Sequence, residues 1–269
     1  MYKVLKVINN NALLAYDLHA EKEVIFLATG VGFGKKVNTL FDDVDGAKKF
    51  YTNEKIKDMT QNVDPVYLEI ADMILHEAEL EFNDVDRMIQ FALADHIAFA
   101  IERMENNIEI VNPFSKDISL LYKDEYKVAV KGAKIIQDKL GIEINDDEIS
   151  YITLHIHSAL GQDNVADSMQ TAMVIDDALA LLEKLCKVKL NKESSAYARF
   201  LIHLKYMFYR IKNNEVLNLD MNEYAYNTFK SSFDIANEVL KEIEEIAKII
   251  IPKVEIGYLA IHIERILND

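Results

Sequence analysis

Over the first 37 residues the apolar positions come in short runs of β-forming residues, at 2–8, 12–18 and 23–29. These are separated by Asn9-Asn10-Asn11 and by residues 19–22, and closed by Gly30-Val31-Gly32-Phe33-Gly34. Runs of that length bounded by Asn and Gly predict strands. Asn tolerates left-handed backbone better than other non-glycine residues, so the triple Asn suits a tight reversal and the pattern predicts a small antiparallel sheet. From about Asp64 the period becomes helical. Asp64-Pro65 supplies an N-cap followed by proline at the first helical position. Asn145, with Glu148 three residues on, opens a helix through Leu160 in the manner of a capping box. The charged, polar stretch 42–62 between these regions predicts a linker.

An internal repeat organises the helical part. Glu148-Ile149-Ser150-Tyr151-Ile152-Thr153-Leu154-His155-Ile156 aligns with Glu255-Ile256-Gly257-Tyr258-Leu259-Ala260-Ile261-His262-Ile263, an offset of 107 residues. The same offset, without a gap, carries His96 onto His203, Arg103 onto Arg210, Phe99 onto Tyr206 and Ala129 onto Ala236. Residues 148–160 and 255–267 share six identities in thirteen, where about one is expected of unrelated chains. Two tandem helical domains follow, at 63–169 and 170–269, behind a head at 1–57.

Composition agrees. Only 8 Gly and 3 Pro in 269 residues, with half the chain hydrophobic, favour long helices over turn-rich β architecture. The expected fold is mainly α with a small N-terminal antiparallel β domain: a β-sheet head followed by two homologous all-α helical bundles. No run of about 18 apolar residues and no leader pattern occurs, which predicts a cytoplasmic protein without membrane insertion. The single Cys186 excludes an intramolecular disulfide and reads as a buried thiol. The net charge of −15 argues against sequence-independent nucleic-acid binding by the whole chain, but it is uneven. Residues 1–57 hold nine Lys against seven Asp plus Glu, a balance of +2, so the remainder carries −17. Only the head favours a polyanion.

The candidate chemistry rests on the histidines. One His on an apolar helix face is usually a packed core residue, but two retained in each diverged copy point to function. Metal binding fits poorly, because His155 and His157 lie about 200° apart on a helix and the second copy has Glu264 in place of His157. A neutral imidazole can instead attack a phosphoryl group and hold it as a phosphoramidate. Arg103 and Arg210 each follow their histidine by seven residues, on nearly the same helix face, and side chains lean toward the helix N-terminus, so each guanidinium is placed to reach a phosphoryl group. The ordinary alternative is a surface pair of Arg103 with Glu102 or Glu105. The loop Gly30-Val31-Gly32-Phe33-Gly34-Lys35-Lys36 lacks both the third glycine of a dinucleotide loop and a Walker ending. No cofactor is expected, and the loop reads better as an RNA surface on which Phe33 stacks. No triad, carboxylate pair or metal cluster supports an enzyme.

Lys6-Val7-Ile8-Asn9-Asn10-Asn11, the Gly30 to Lys36 loop and the duplicated two-His helical domains together resemble the BglG/SacY family of transcriptional antiterminators, nearest its glucose-operon (GlcT-type) branch. The resemblance covers essentially the whole chain. It implies a dimeric four-stranded head, the co-antiterminator (CAT) domain, that binds an RNA hairpin in the leader of a sugar operon and prevents a terminator from forming. It also implies two phosphotransferase-system regulation domains (PRDs) that control the dimer. The first would be phosphorylated by a sugar-specific enzyme II, which inhibits, and the second by HPr. Matched by position, the phosphoacceptors are His96, His155, His203 and His262, and the RNA contacts Lys6, Asn9, Asn11, Thr29, Gly30, Phe33 and Lys36. His19, His76 and His157 have no counterpart. Ala28-Thr29 stands where members usually carry a basic residue, removing one RNA contact. The alternative reading, a DNA-binding activator with the same regulatory domains, expects a helix-turn-helix where this chain is β-rich. A phosphocarrier would leave the Asn and Gly-Phe motifs without a role.

Overall fold

The computed structural model describes residues 1–9, 12–20, 22–28, 30–51, 64–108, 110–161, 163–215 and 217–268. Strands β1 (Tyr2–Asn9), β2 (Ala12–Asp17) and β3 (Lys22–Leu27) form the expected antiparallel meander, ending one or two residues from the predicted limits. Two further strands, β4 (Leu40–Phe41) and β5 (Lys48–Tyr51), give a five-stranded sheet in the order β4-β1-β2-β3-β5. The four-stranded expectation is thus corrected, and the predicted linker at 42–62 holds the edge strand β5 at 48–51, while its residues 52–62 lie outside the described residues. A meander leaves unpaired backbone on both outer strands, and these short segments satisfy it.

Side chains alternate across the pleat. Val4, Leu13, Ala15, Val24, Phe26, Val31 and Phe41 bury one face, with Tyr2, Phe26 and Phe41 in mutual ring contact. Ile8, Ala12, Leu14 and Ile25 from the strands join the helical core of the same compact unit.

Ten helices are described: α1 (Pro65–Glu81), α2 (Ile89–Glu105), α3 (Ser115–Leu121), α4 (Lys123–Leu140), α5 (Asp146–Ala159), α6 (Val165–Cys186), α7 (Ser195–Lys212), α8 (Asn222–Thr228), α9 (Lys230–Ala247) and α10 (Glu255–Leu267). The offset of 107 carries α3 and α4 onto α8 and α9 end to end, and α2 onto α7 to within one residue at the start. The local start signals act as read. Asp64 accepts from Val66 N–H ahead of Pro65, and Asn145 accepts from Glu148 N–H at 3.0 Å. The reciprocal half of the capping box is absent, because the Glu148 side chain turns to Arg103 instead.

The chain divides into two compact units, residues 1–111 with 124–163 and residues 112–123 with 164–269. Sequence order and spatial grouping therefore part at α3, which belongs by repeat to the first helical domain but packs against α7 of the second. Buried Asp117 on α3 accepts a hydrogen bond from the Tyr197 hydroxyl at 2.7 Å and pairs with Lys192 at 3.0 Å. Lys205 donates to the Leu121 carbonyl at 2.6 Å and lies 4.4 Å from the centre of the Tyr122 ring. Cys186 is half-buried rather than buried, and burial pushes its thiol upward.

Candidate functional site

In the first unit α2 packs against α5, so two histidines 59 residues apart meet: the ring centres of His96 and His155 are 5.1 Å apart. In the second, α7 packs against α10 and brings His203 and His262 to 4.5 Å. The neighbouring tyrosines repeat as well, Tyr151 at 5.6 Å from His96 and Tyr258 at 6.5 Å from His203. All four sequence-predicted phosphoacceptors thus form two like pairs.

Each pair sits on a buried carboxylate that the sequence reading quoted in its alignment but did not assign. Arg103 Nη2 donates to Glu148 Oε1 at 2.8 Å, and His96 Nε2 lies 3.3 Å from Glu148 Oε2. Both atoms of the latter approach, together with Arg103 Nε, are buried and without a hydrogen-bond partner. In the second unit Arg210 grips Glu255 with two bonds, Nε at 3.0 Å and Nη2 at 2.9 Å, while His203 Nε2 stands 3.9 Å from the carboxylate, also without a partner. Arg103 is therefore paired neither with Glu102 nor with Glu105 but with a glutamate 45 residues away. The available signal was that Glu148 and Glu255 open the two matched blocks as an identity.

Burial removes water that would solvate a charged ring, so it lowers an imidazole's proton affinity. His155 is held at about 3 by burial and then by the charge of His96. His203 is also held at about 3, by burial, then His262, then Arg210. His262 is lowered by burial and by Arg265 and Arg199. Burial pushes Glu148 up, but His96 and Arg103 more than offset this and leave it below the usual carboxylate range. Neutral imidazoles with a ring nitrogen left without a hydrogen-bond partner beside a fork of N–H donors are the chemistry of phosphoryl acceptance.

His157 points away from this site. Its Nδ1 lies 2.9 Å from Glu125 Oε1, both side chains being buried. At the equivalent positions Ser232 donates to Glu264 Oε2 at 2.6 Å, so the second copy keeps the contact with the acid on the other helix. Among the described residues no group of His, Cys, Asp and Glu is placed to hold a metal ion.

The head presents a second candidate surface. Asn9 pairs with Ala12 and Ala12 with Leu27, so the end of β1, the start of β2 and the end of β3 lie at one end of the sheet. The loop from Gly30 leaves from that same end. Gly30 has φ +73° and Gly34 φ +69°, left-handed backbone that disfavours a side chain. Successive turn bonds from Val31 to Ala28, Phe33 to Gly30 and Lys35 to Gly32 hold the loop. Val31 is buried in the head core while Phe33 is 75% exposed. Lys36 is exposed, and Lys6 lies along β1 behind Asn9. Asn11 and Thr29 lie outside the described residues.

A small sheet with a glycine-rich loop at one end, ahead of a duplicated histidine site, defines the class of protein together with the matches to known families. Residues 2–59 match the CAT RNA binding domain, and residues 68–159 and 176–266 match the PRD domain. The PtsGHI operon antiterminator of Bacillus subtilis is 32% identical, spanning 99% of this chain and 98% of the relative. The GlcA/glcB genes antiterminator of Staphylococcus carnosus is 28% identical over 97% and 94%, and the transcription antiterminator LicT of Bacillus subtilis 29% identical over 99% of each. A solved structure described as GlcT CAT-PRDI has a TM-score of 0.49 at 36% identity and covers 59% of this chain and 98% of that one. The chain belongs to the BglG family of transcriptional antiterminators, in its GlcT-type branch. It is a regulator with an RNA-binding head and phosphotransferase-system-regulated helical domains, not a DNA-binding activator. No described helix is long and apolar enough to cross a membrane.

Proposed function

We propose that this chain acts in the cytoplasm as a homodimer that grips an RNA hairpin in a leader transcript and so keeps a terminator from forming. Its grip is set by phosphorylation of His96, His155, His203 and His262. The observation that carries the reading is the repeated quartet of two facing histidines, one arginine and one buried glutamate, kept at an offset of 107 residues. The head is taken as residues 1–57 and the regulatory domains as 63–169 and 170–269, with α3 exchanged onto the second. Lys6, Asn9, Asn11, Thr29, Gly30, Phe33 and Lys36 are the RNA contacts, supported for Asn9 and the Gly30 loop by their shared end of the sheet. The donors are HPr and a sugar-specific enzyme II. The chain accepts a phosphoryl group and has no turnover chemistry of its own.

Phosphorylation adds about two negative charges per site to an already acidic region, and this biases which dimer arrangement is stable. The test is hairpin binding by gel shift with the full chain. His96→Asp and His155→Asp are expected to weaken it, and alanine at both positions to give antitermination independent of sugar. Unchanged affinity in the mimics, together with alanine variants still responsive to sugar, would remove the first domain as the switch.

A further inference from the structure

Glu148 and Glu255 are the parts of the two sites that phosphoryl acceptance alone does not use. They are 3% and 2% exposed, and a buried carboxylate is costly unless cations surround it. Each is held by the arginine placed to receive a phosphoryl group. A carboxylate and a phosphoryl group offer the guanidinium fork the same pair of oxygen acceptors. A phosphoryl group on His96 Nε2 would put its oxygens in the space where Glu148 Oε2 already lies, 3.3 Å from that nitrogen. Two anions cannot share it.

We propose that Glu148 and Glu255 are internal stand-ins for the phosphoryl group: each holds its arginine in the receiving orientation while the histidine is bare, and must release it when the histidine is phosphorylated. This rests on the phosphoacceptor reading above. With the ring proton on Nδ1, the Nε2 lone pair forms the N–P bond, the donor's bond to phosphorus breaks, and that electron pair stays with the donor. The carboxylate consumes nothing; it is a positioning residue that leaves. Glu148 sits in the first turn of α5 beside Asp146 and Asp147, and Glu255 in the first turn of α10. Those two turns are where the modification is felt first. The copies differ in grip, since Arg103 makes one bond to Glu148 and keeps a partnerless Nε whereas Arg210 makes two to Glu255. The first site yields more readily.

The experiment exposes the full chain to phosphoramidate, a small-molecule phosphoryl donor, and reads phosphohistidine at each site by 31P NMR and peptide mass spectrometry. Glu148→Gln is expected to raise occupancy at His96 threefold or more over wild type at equal exposure. Glu255→Gln should raise that at His203 by a larger factor. In an Arg103→Gln background the Glu148→Gln gain should vanish, which a merely structural role would not produce. Should Glu148→Gln fail to fold by circular dichroism, Glu148→Asp, one methylene shorter, is scored in the same way with a smaller gain. Occupancy unchanged or reduced in the folded variant, or a gain that persists without Arg103, overturns the proposal while leaving the phosphoacceptor reading intact. A wild-type chain that takes up no phosphoryl group at any of the four histidines overturns both.

Discussion

Acidification from pH 7 to pH 5 should destabilise both regulatory repeats through His155 and His203. The folded protein holds each at about 3, against 6.5 for the ordinary imidazole. The unfolded chain therefore binds more protons than the folded one between pH 6.5 and about 3. Stability rises with pH wherever that is so, which means the contribution is fully present above 6.5 and is lost as pH falls through that window. At about 1.4 kcal/mol per unit, the fall to pH 5 costs about 2 kcal/mol for each histidine and about 4 kcal/mol for the two. His262, lowered by burial, adds in the same sense, whereas Asp176, raised by burial, opposes it. The assay is urea unfolding at both pH values, each transition fitted separately because two compact units need not unfold together. His155→Gln and His203→Gln should each remove about half of the pH dependence. Equal midpoints at pH 5 and pH 7, or a pH dependence untouched in the double variant, would refute the argument that burial keeps these rings neutral. Neutrality matters for function because only the unprotonated ring is a nucleophile.

Gly257→Ala should lower the stability of the second unit by about 1–3 kcal/mol, read by thermal unfolding, because an added Cβ would lie 2.6 Å from the Met221 carbonyl carbon. A wild-type melting temperature would show that α8 and α10 can move apart freely. Tyr197→Phe takes one donor from buried Asp117 and leaves it Lys192, at an expected cost of about 1–3 kcal/mol in urea unfolding. A neutral result would mean that the α3 contact does not stabilise the second unit. Phe33→Ala should lose about 1–3 kcal/mol of hairpin binding with unfolding unchanged, since the ring is 75% exposed. Full affinity would take the ring out of the RNA surface.

What the sequence determined by itself was everything set by short separations and by self-similarity. Asp64 and Asn145 cap their helices because capping is a contact between residues two or three apart. The gapless offset carried His96 onto His203 and His155 onto His262, so a contact made in one copy is repeated in the other, because like helices with like connections pack alike. The short β-forming runs that become β1 to β3 likewise need only neighbours. Tertiary structure decided the choices among partners far apart in the chain. Arg103 had Glu102 and Glu105 beside it on its own helix, yet it pairs with Glu148, because the packing of α2 on α5 places that carboxylate where burial makes it need a cation most. The swap of Glu125 and His157 for Ser232 and Glu264 preserves a contact that no residue-by-residue comparison reveals, since neither position is conserved in type. The outer strands β4 and β5 depend on the unpaired edges of a sheet that already exists. The docking of α3 on α7 rests on Asp117 finding Tyr197, 80 residues away, and a seven-residue helix has too little apolar face to choose its own partner.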